Sequence, residues 1–498
     1  MKRLWRYRFR RVDLQLSFCI ALLGGIGLAH YGWQLPGCFM IIAFGLSAVT
    51  ARTRSLVLVI AVATLGLGCG LSRGHVFQRH LADYQTLQDR KVQLTVEALN
   101  DGAYGTNSQL SFDAGQAEVN GQKLSGKLHI SGFGLNAVMQ GDEVQAFGKL
   151  RSGSGQYQGY ISYAQLQLVR HHPSLVAQLR RRFAAGMQSA LPEPQASFAM
   201  GLLIGQRSNL PASVKQDVLM VGLTHIIAVS GYNLTIMLQA ARRALGHYSK
   251  RLTTWLSLGL IAAFLLMTGS SASIVRAAIV SVLSIWASYY GRTFRPLNLI
   301  LIAAALTGWA NPFYVWSDIS WYLSFLAFHG VLVVAPLIAA RFHHAWQRSI
   351  LATVALESIC AELMTLPIII FSFGQLSLIG LLANVLVVAL IPLAMLLCFI
   401  AGLAGMLILP VAGWFAWPAQ LLLTYMLDTA HLLARIPGIF IQQLSLSTTK
   451  LVALYAITLA VTVVWWHKTK ILESARITDK KSKLSGVSFE RTQQMVND

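Results

Sequence analysis

Residues 376–408 read LSLIGLLANVLVVALIPLAMLLCFIAGLAGMLI, from Leu376 to Ile408, without one charged side chain. A helix that crosses a bilayer needs about 20 consecutive apolar residues. This run is longer than one straight crossing requires, and Pro392 is expected to kink or break it. Working outward, apolar runs recur at 224–241, 252–268, 271–290, 297–310, 319–340, 350–372, 412–434 and 450–466. Upstream, three more lie at 14–33, 35–51 and 55–71. The 498 residues are 55% hydrophobic and 12% charged, where a soluble chain carries about 25% charged residues. Mean hydropathy is +0.55. The class is therefore a predominantly α-helical polytopic membrane protein, with about 10–12 crossings.

The net charge is +21. Arg and Lys gather in residues 2–11, at Arg52 and Arg54, at 242–251, at Arg292 and Arg295, and in the tail from Lys468. Basic loops of this kind stay on the cytoplasmic side. Both termini are thus expected in the cytoplasm of an inner (plasma) membrane, and the charge by itself says little about nucleic acid. The basic start followed by an apolar run reads as a retained signal anchor, since two more apolar runs follow closely and no small-residue cleavage site is evident. The five cysteines lie in apolar runs at spacings that suggest neither a metal site nor a disulfide framework.

Residues 90–170 change character. Alternating stretches such as Lys91–Glu97 and Glu143–Gly148 are separated by Gly and Asn turn signals. Several short strands at this spacing argue for a small all-β barrel, and a five-stranded OB-type barrel fits the length. On the charge-derived topology it is extracytoplasmic. Between residues 89 and 170 seven basic residues (Arg90, Lys91, Lys123, Lys127, Lys149, Arg151, Arg170) balance seven acidic ones (Asp89, Glu97, Asp101, Asp113, Glu118, Asp142, Glu143). Tyr104, Tyr157 and Tyr160, with Lys149 and Arg151, are candidates for stacking and phosphate contact with single-stranded DNA; aromatics of a small barrel also serve as core. Residues 174–191 form an amphipathic helix with Leu175, Leu179, Phe183 and Met187 on one stripe and Arg180, Arg181 and Arg182 beside it. It can lie in the membrane interface, with the arginines as further DNA contacts, or pack on the barrel. The domains expected are 1–72 (three spans), 73–170 (β domain), 171–222 (interfacial helices), 223–466 (membrane block) and 467–498 (basic tail).

Across 224–466 the only carboxylates are Asp318, Glu357, Glu362 and Asp428, and Arg276 is the one cation well inside a span. Ionisable groups at bilayer depth are costly and face a cavity or a partner. Structural ion pairs and the polar lining of a water-filled path are both open. No P-loop, H-E-x-x-H or G-x-S-x-G motif occurs, so the reading is not an enzyme, with no cofactor and no metal.

The ordered motifs go further. Gly201-Leu-Leu-Ile-Gly205-Gln-Arg207 leads to Gly222-Leu-Thr-His225-Ile-Ile-Ala-Val-Ser230-Gly231-Tyr-Asn233. Arg276-Ala277 follows, then Asn311-Pro312, Asp318-Ile-Ser-Trp-Tyr-Leu-Ser324-Phe-Leu-Ala, Glu362-Leu-Met-Thr-Leu-Pro367, Phe373-Gly374-Gln375-Leu-Ser377, Asn384 and Pro392. This set resembles the ComEC family of competence proteins, the DNA-uptake channels of natural transformation, over roughly residues 190–410. The resemblance implies passage of single-stranded DNA through the membrane block, with the barrel meeting DNA outside. Arg207 and Lys215 are then phosphate receivers or headgroup anchors. His225, Ser230 and Asn233 share a cavity wall, and Arg276, Asp318, Glu357, Glu362 and Asn384 are path candidates. The family usually has His where this chain has Asn233, and an acid is common at Gln206. Many members carry a C-terminal metallo-β-lactamase-like domain; here the sequence stops soon after its last span, so a separate nuclease is expected. The other partners implied are membrane lipids, an external DNA receptor and a cytoplasmic ATPase or single-strand-binding proteins, around a monomer or dimer. The competing reading is a polytopic transporter of a small or lipid-linked solute.

Overall fold

The structure is a computed structural model that describes residues 9–50, 55–104, 109–119, 121–124, 126–153, 157–171, 175–205, 210–227, 234, 237–238, 241–242, 245, 247–268, 272–291, 296–340 and 350–465. Its contacts divide the chain into two units, residues 1–325 with 377–439 and residues 326–376 with 440–498.

The first unit opens with helices α1 (Arg11–Ala29), α2 (Gly37–Thr50) and α3 (Leu56–Leu87). The N–H of Arg10 donates to the Asp13 carboxylate at 2.9 Å, which satisfies one of the orphan donors at the helix start. α3 joins the third apolar run to the polar helix expected after residue 75, and it crosses the anticipated boundary at 72. Its glycines serve packing rather than a break. A Cβ on Gly70 would collide with the Leu22 carbonyl, and one on Gly25 with the Leu67 carbonyl, so α1 and α3 approach backbone to backbone as small residues allow.

The β domain comprises β1 (Lys91–Ala98), β2 (Ala103–Tyr104), β3 (Leu110–Val119), β4 (Gln122–Leu124), β5 (Leu128–Phe133), β6 (Glu143–Ser152) and β7 (Gly159–Arg170). The sheet runs β1-β6-β7-β5-β3, and a further β1–β3 pairing closes it on itself. All the pairings on this ring are antiparallel except β5–β7. Alternation along each strand turns Leu94, Phe112, Leu128, Ile130 and Ile161 inward, each 1% exposed or less. Fully burying one such side chain contributes about 1.5–3 kcal/mol.

Helix α4 (Leu175–Ala190) meets the β domain, one of the two places open to it from sequence, and a membrane helix as well. It packs against α16 (Ile391–Leu407). Gly186 presses on Gly405 and Gly402 takes the Phe183 ring, so any side chain at these glycines would clash. Phe183 and Met187 are buried as the stripe requires, but Leu175 and Leu179 are exposed and Ala177 and Gly186 take their place. From its other end Arg180 donates to Gln140 Oε1 at 3.4 Å and Arg181 meets the Met139 sulfur, tying the helix to the β domain.

After α5 (Gln195–Ile204), α6 (Ala212–Met220) and the single turn α7 (Thr224–Ile227) come α8 (Lys250–Thr268), α9 (Ala272–Tyr289), α10 (Pro296–Ala310), the turn α11 (Phe313–Trp316) and α12 (Ile319–His329). The long run 376–408 is broken as its proline suggested. α15 (Gly380–Val387) gives way to a 3₁₀ turn at Val388–Leu390, and α16 then starts with Pro392 in its first turn, where a missing N–H costs nothing. α17 (Ala412–Ala434) completes this unit.

The second unit holds a π-turn (Gly330–Val334), α13 (Ala335–Ala339), α14 (Ile350–Phe373) and α18 (Thr448–Trp465). The π-turn sits where Gly330 abuts the Cys360 backbone; a Cβ there would stand 2.6 Å from the Cys360 oxygen. A two-residue pairing joins β8 (Leu376–Ser377) to β9 (Phe440–Ile441).

Among the described residues seven helices are long and apolar enough to cross a membrane, and four shorter apolar helices of 10–17 residues accompany them. Most of the run 224–241 lies outside the described residues. α2 has only 14 residues and α10 only 15. The chain is a multi-pass membrane protein that is mostly helical, with a separate β-sheet region.

Candidate functional site

Two ionisable residues of the membrane block, Arg276 and Asp318, come together where α9 meets the segment between α10 and α12. Arg276 sits in the second turn of α9 and is 1% exposed. Its Nη2 donates to the Ser320 carbonyl at 3.0 Å and to Ser320 Oγ at 3.2 Å. Its Nε and Nη1 have no hydrogen-bond partner among the described residues. Asp318, 6% exposed, is the acid that acts on Arg276 electrostatically. Asp318 Oδ1 accepts from the Ser320 N–H at 3.0 Å, while Oδ2 is buried without a partner among the described residues. The pair is thus neighbouring but not closed into a direct bridge.

The surrounding elements fix this geometry. Asp318 takes the place of an N-cap for α12, which is why its carboxylate meets the N–H two residues on. Trp321 Nε1 donates to Thr307 Oγ1 at 3.0 Å, pinning α12 to α10. Trp316 Nε1 donates to the Ile26 carbonyl at 2.7 Å, pinning α11 to α1. Arg73 on α3 donates to the carbonyls of Trp309 and Ala310 at 2.9 and 3.1 Å, the C-terminal end of α10, where a cation is favoured. Three N-terminal helix contacts therefore brace the loop that carries Asp318.

An uncompensated buried charge costs several kcal/mol. Two guanidinium nitrogens and one carboxylate oxygen are buried here without a hydrogen-bond partner among the described residues, a set that a polar guest would satisfy. A water molecule can accept from Arg276 and donate to Asp318. A phosphodiester oxygen can take the guanidinium donors alone.

The other sequence candidates are distributed. Arg207, Ser230 and Asn233 lie outside the described residues, as does Gln206. His225 is in the turn α7. Lys215 is exposed on α6, which packs on α17, where Asp217 Oδ2 and His431 Nδ1 stand 2.7 Å apart. Asn384 is buried in α15. Glu357 and Glu362 are part-buried on α14 of the second unit. In the β domain Tyr160 stands opposite Arg151 across β6–β7 and clusters with Tyr157 and His129, with ring centroids 5.3–6.0 Å apart. Tyr104 donates from its hydroxyl to the Asn136 carbonyl at 2.7 Å. Arg180 is 9% exposed, its pKa lowered by burial and partly restored by Asp101; it is not displayed for an external ligand, whereas Arg182 is exposed. Sequence reasoning missed Ser320, which lies inside the Asp318-Ile-Ser-Trp motif, and Thr307, which carries no local signal at all.

Among the described residues no group of three or more His, Cys, Asp or Glu side chains could hold a metal ion. No solved structure gives a significant match to the chain. The chain is 23% identical over 244 residues to ComE operon protein 3 of Bacillus subtilis (strain 168), an alignment covering 48% of this chain and 30% of that protein. The chain thus aligns with well under half the length of that relative. The family model described as Competence protein matches residues 202–469, which span Arg276, Asp318, Glu357, Glu362 and Asn384. By this match over more than half its length, the chain belongs to the Competence protein family.

Proposed function

We propose that the chain serves DNA uptake in natural transformation, as an inner-membrane channel that passes single-stranded DNA into the cytoplasm. The observation that carries this reading is the buried Arg276–Asp318 site inside the family-matched block, with two guanidinium donors unmet among the described residues. A sequence-independent path needs contacts to phosphate rather than to bases, and a buried Arg with free donors is the side chain suited to that task. The β domain, outside the membrane on the charge-derived topology, is read as an OB-type barrel, and the pairing of its five long strands in a ring supports that reading. An external DNA receptor, a nuclease and a cytoplasmic ATPase or single-strand-binding proteins complete the pathway, around a monomer or dimer.

The test separates crossing from capture. A strain lacking the gene is expected to bind external DNA and give no transformants. The intact gene should restore transformation, and Arg276→Ala should not, with the variant present in the membrane at normal level. Undiminished transformation in the deletion strain overturns the reading in favour of a transporter for a small or lipid-linked solute.

A further inference from the structure

The turn that ends α1 sets three aromatic rings in four residues, His30-Tyr31-Gly32-Trp33. Gly32 takes the sharp bend at a φ of 75°, a region that residues with a side chain avoid. α3 holds the turn in place. Gln78 Nε2 donates to the Ala29 carbonyl at 2.9 Å, and His75 Nε2 donates to the Trp33 carbonyl at 2.8 Å. His30 lies against Trp316, with ring centroids 5.0 Å apart, and Trp316 is itself anchored to the Ile26 carbonyl. The turn nevertheless displays two rings, Tyr31 79% exposed and Trp33 64% exposed.

These rings stand beside the Arg276–Asp318 pair. Tyr31 is close enough to Tyr322 on α12 to act on it electrostatically. Tyr314 on α11 is in the same relation to both Arg276 and Asp318. The buried pair also lies close beneath the surface. Asp318 is buried, but Ser317 and Ser320 on either side of it are exposed, and Ser320 is the residue that holds Arg276 Nη2. A line of aromatic and hydroxyl side chains thus leads from an exposed tyrosine to a buried guanidinium. In the charge-derived topology the turn after α1 is on the outer side, where a strand arrives.

We infer that the turn 30–33 is the outer lip of the path, where bases of the incoming single strand stack on Tyr31 and Trp33. Its phosphates are then led past Ser317 and Ser320 to Arg276. The inference rests on the DNA-uptake reading and deepens it, and it concerns the membrane block rather than the β domain. Flat rings receive any base, as sequence-tolerant transport needs, and the guanidinium takes phosphate oxygens. Trp and Tyr also gather at membrane–water interfaces. A ring that serves only there needs the right depth. This turn is instead fixed by two side chains of α3 and by Trp316, beside the one buried Arg–Asp pair described above.

The test uses the full chain in nanodiscs and an oligothymidylate carrying iododeoxyuridine, whose base crosslinks to a stacked aromatic ring under near-ultraviolet light. Crosslinks on the intact protein, mapped by mass spectrometry, are expected at Tyr31 or Trp33. Tyr31→Ala with Trp33→Ala is expected to lower transformation about ten-fold or more, with surface DNA binding and membrane abundance unchanged. Tyr31→Phe keeps the ring and is expected to transform normally. Trp309→Ala removes another exposed ring, at the end of α10, and is expected to change nothing. Crosslinks that fall only elsewhere on the chain, with normal transformation by the double variant, overturn the lip and leave the uptake reading standing. Absence of crosslinks at the turn, with the double variant lost from the membrane in step with its transformation, also overturns it and makes the turn a lipid anchor. An intact protein that takes no crosslink, in a strain whose deletion leaves transformation normal, removes both readings.

Discussion

At Arg276 the cost of burying a guanidinium and the use of one meet. Its Nη2 is held by Ser320 while Nε and Nη1 are buried without a hydrogen-bond partner among the described residues, with Asp318 near by. Arg276→Lys keeps the charge but loses the planar fork, so it is expected to transform poorly while remaining folded. Transformation frequency set against membrane abundance checks this, and full activity in the lysine variant counts against phosphate contact. Trp321→Phe removes the hydrogen bond to Thr307 Oγ1 but keeps the ring. It is expected to lower stability by about 1 kcal/mol, read as a fall in the unfolding temperature of purified protein. The singular position of Arg276 inside an apolar run was legible in the sequence. Its partner Ser320 was not singled out, because a serine beside a tryptophan carries no signal until a helix 44 residues away in sequence is packed onto it.

At the scale of elements, glycines decide which helices touch. α4 lies against α16 because Gly186, Gly402 and Gly405 remove the side chains that would hold them apart. Gly405→Leu puts a side chain into the Gly186 backbone and is expected to cost about 1–3 kcal/mol through overpacking. Thermal unfolding followed by size-exclusion chromatography measures it; unchanged stability would mean that the two helices do not cross so closely. The strands were foreseeable from their alternation and turn residues. On α4 the protein covers Phe183 and Met187 and leaves Leu175 and Leu179 exposed, because hydrophobic periodicity reports that a helix has an apolar side but not how much of it a glycine-lined neighbour covers. The break in residues 376–408 was anticipated from Pro392, whose missing N–H ends the preceding helix by a rule that is local.

For the whole molecule, the topology proposal places the β domain outside and the tail inside. A single cysteine at the exposed position Gln93, in a chain stripped of its five native cysteines, is expected to react with a membrane-impermeant maleimide in spheroplasts. A cysteine introduced at Lys481 is expected to react only after lysis. The reverse pattern inverts the topology and separates the β domain from external DNA.

The sequence by itself determined the membrane class, the β domain as an inserted module, and the family's motifs. Hydropathy, strand alternation and Pro392 act over a few residues and need no partner. Tertiary structure decided the rest. It split the chain into two units that each draw on distant segments, fused the third apolar run with the polar stretch after it into α3, and set Arg276 beside Asp318. The physical reason is the same in each case. Burial, close helix approach and cross-strand register are relations between residues far apart in the chain, and a residue's chemistry does not disclose them until the neighbours are in place.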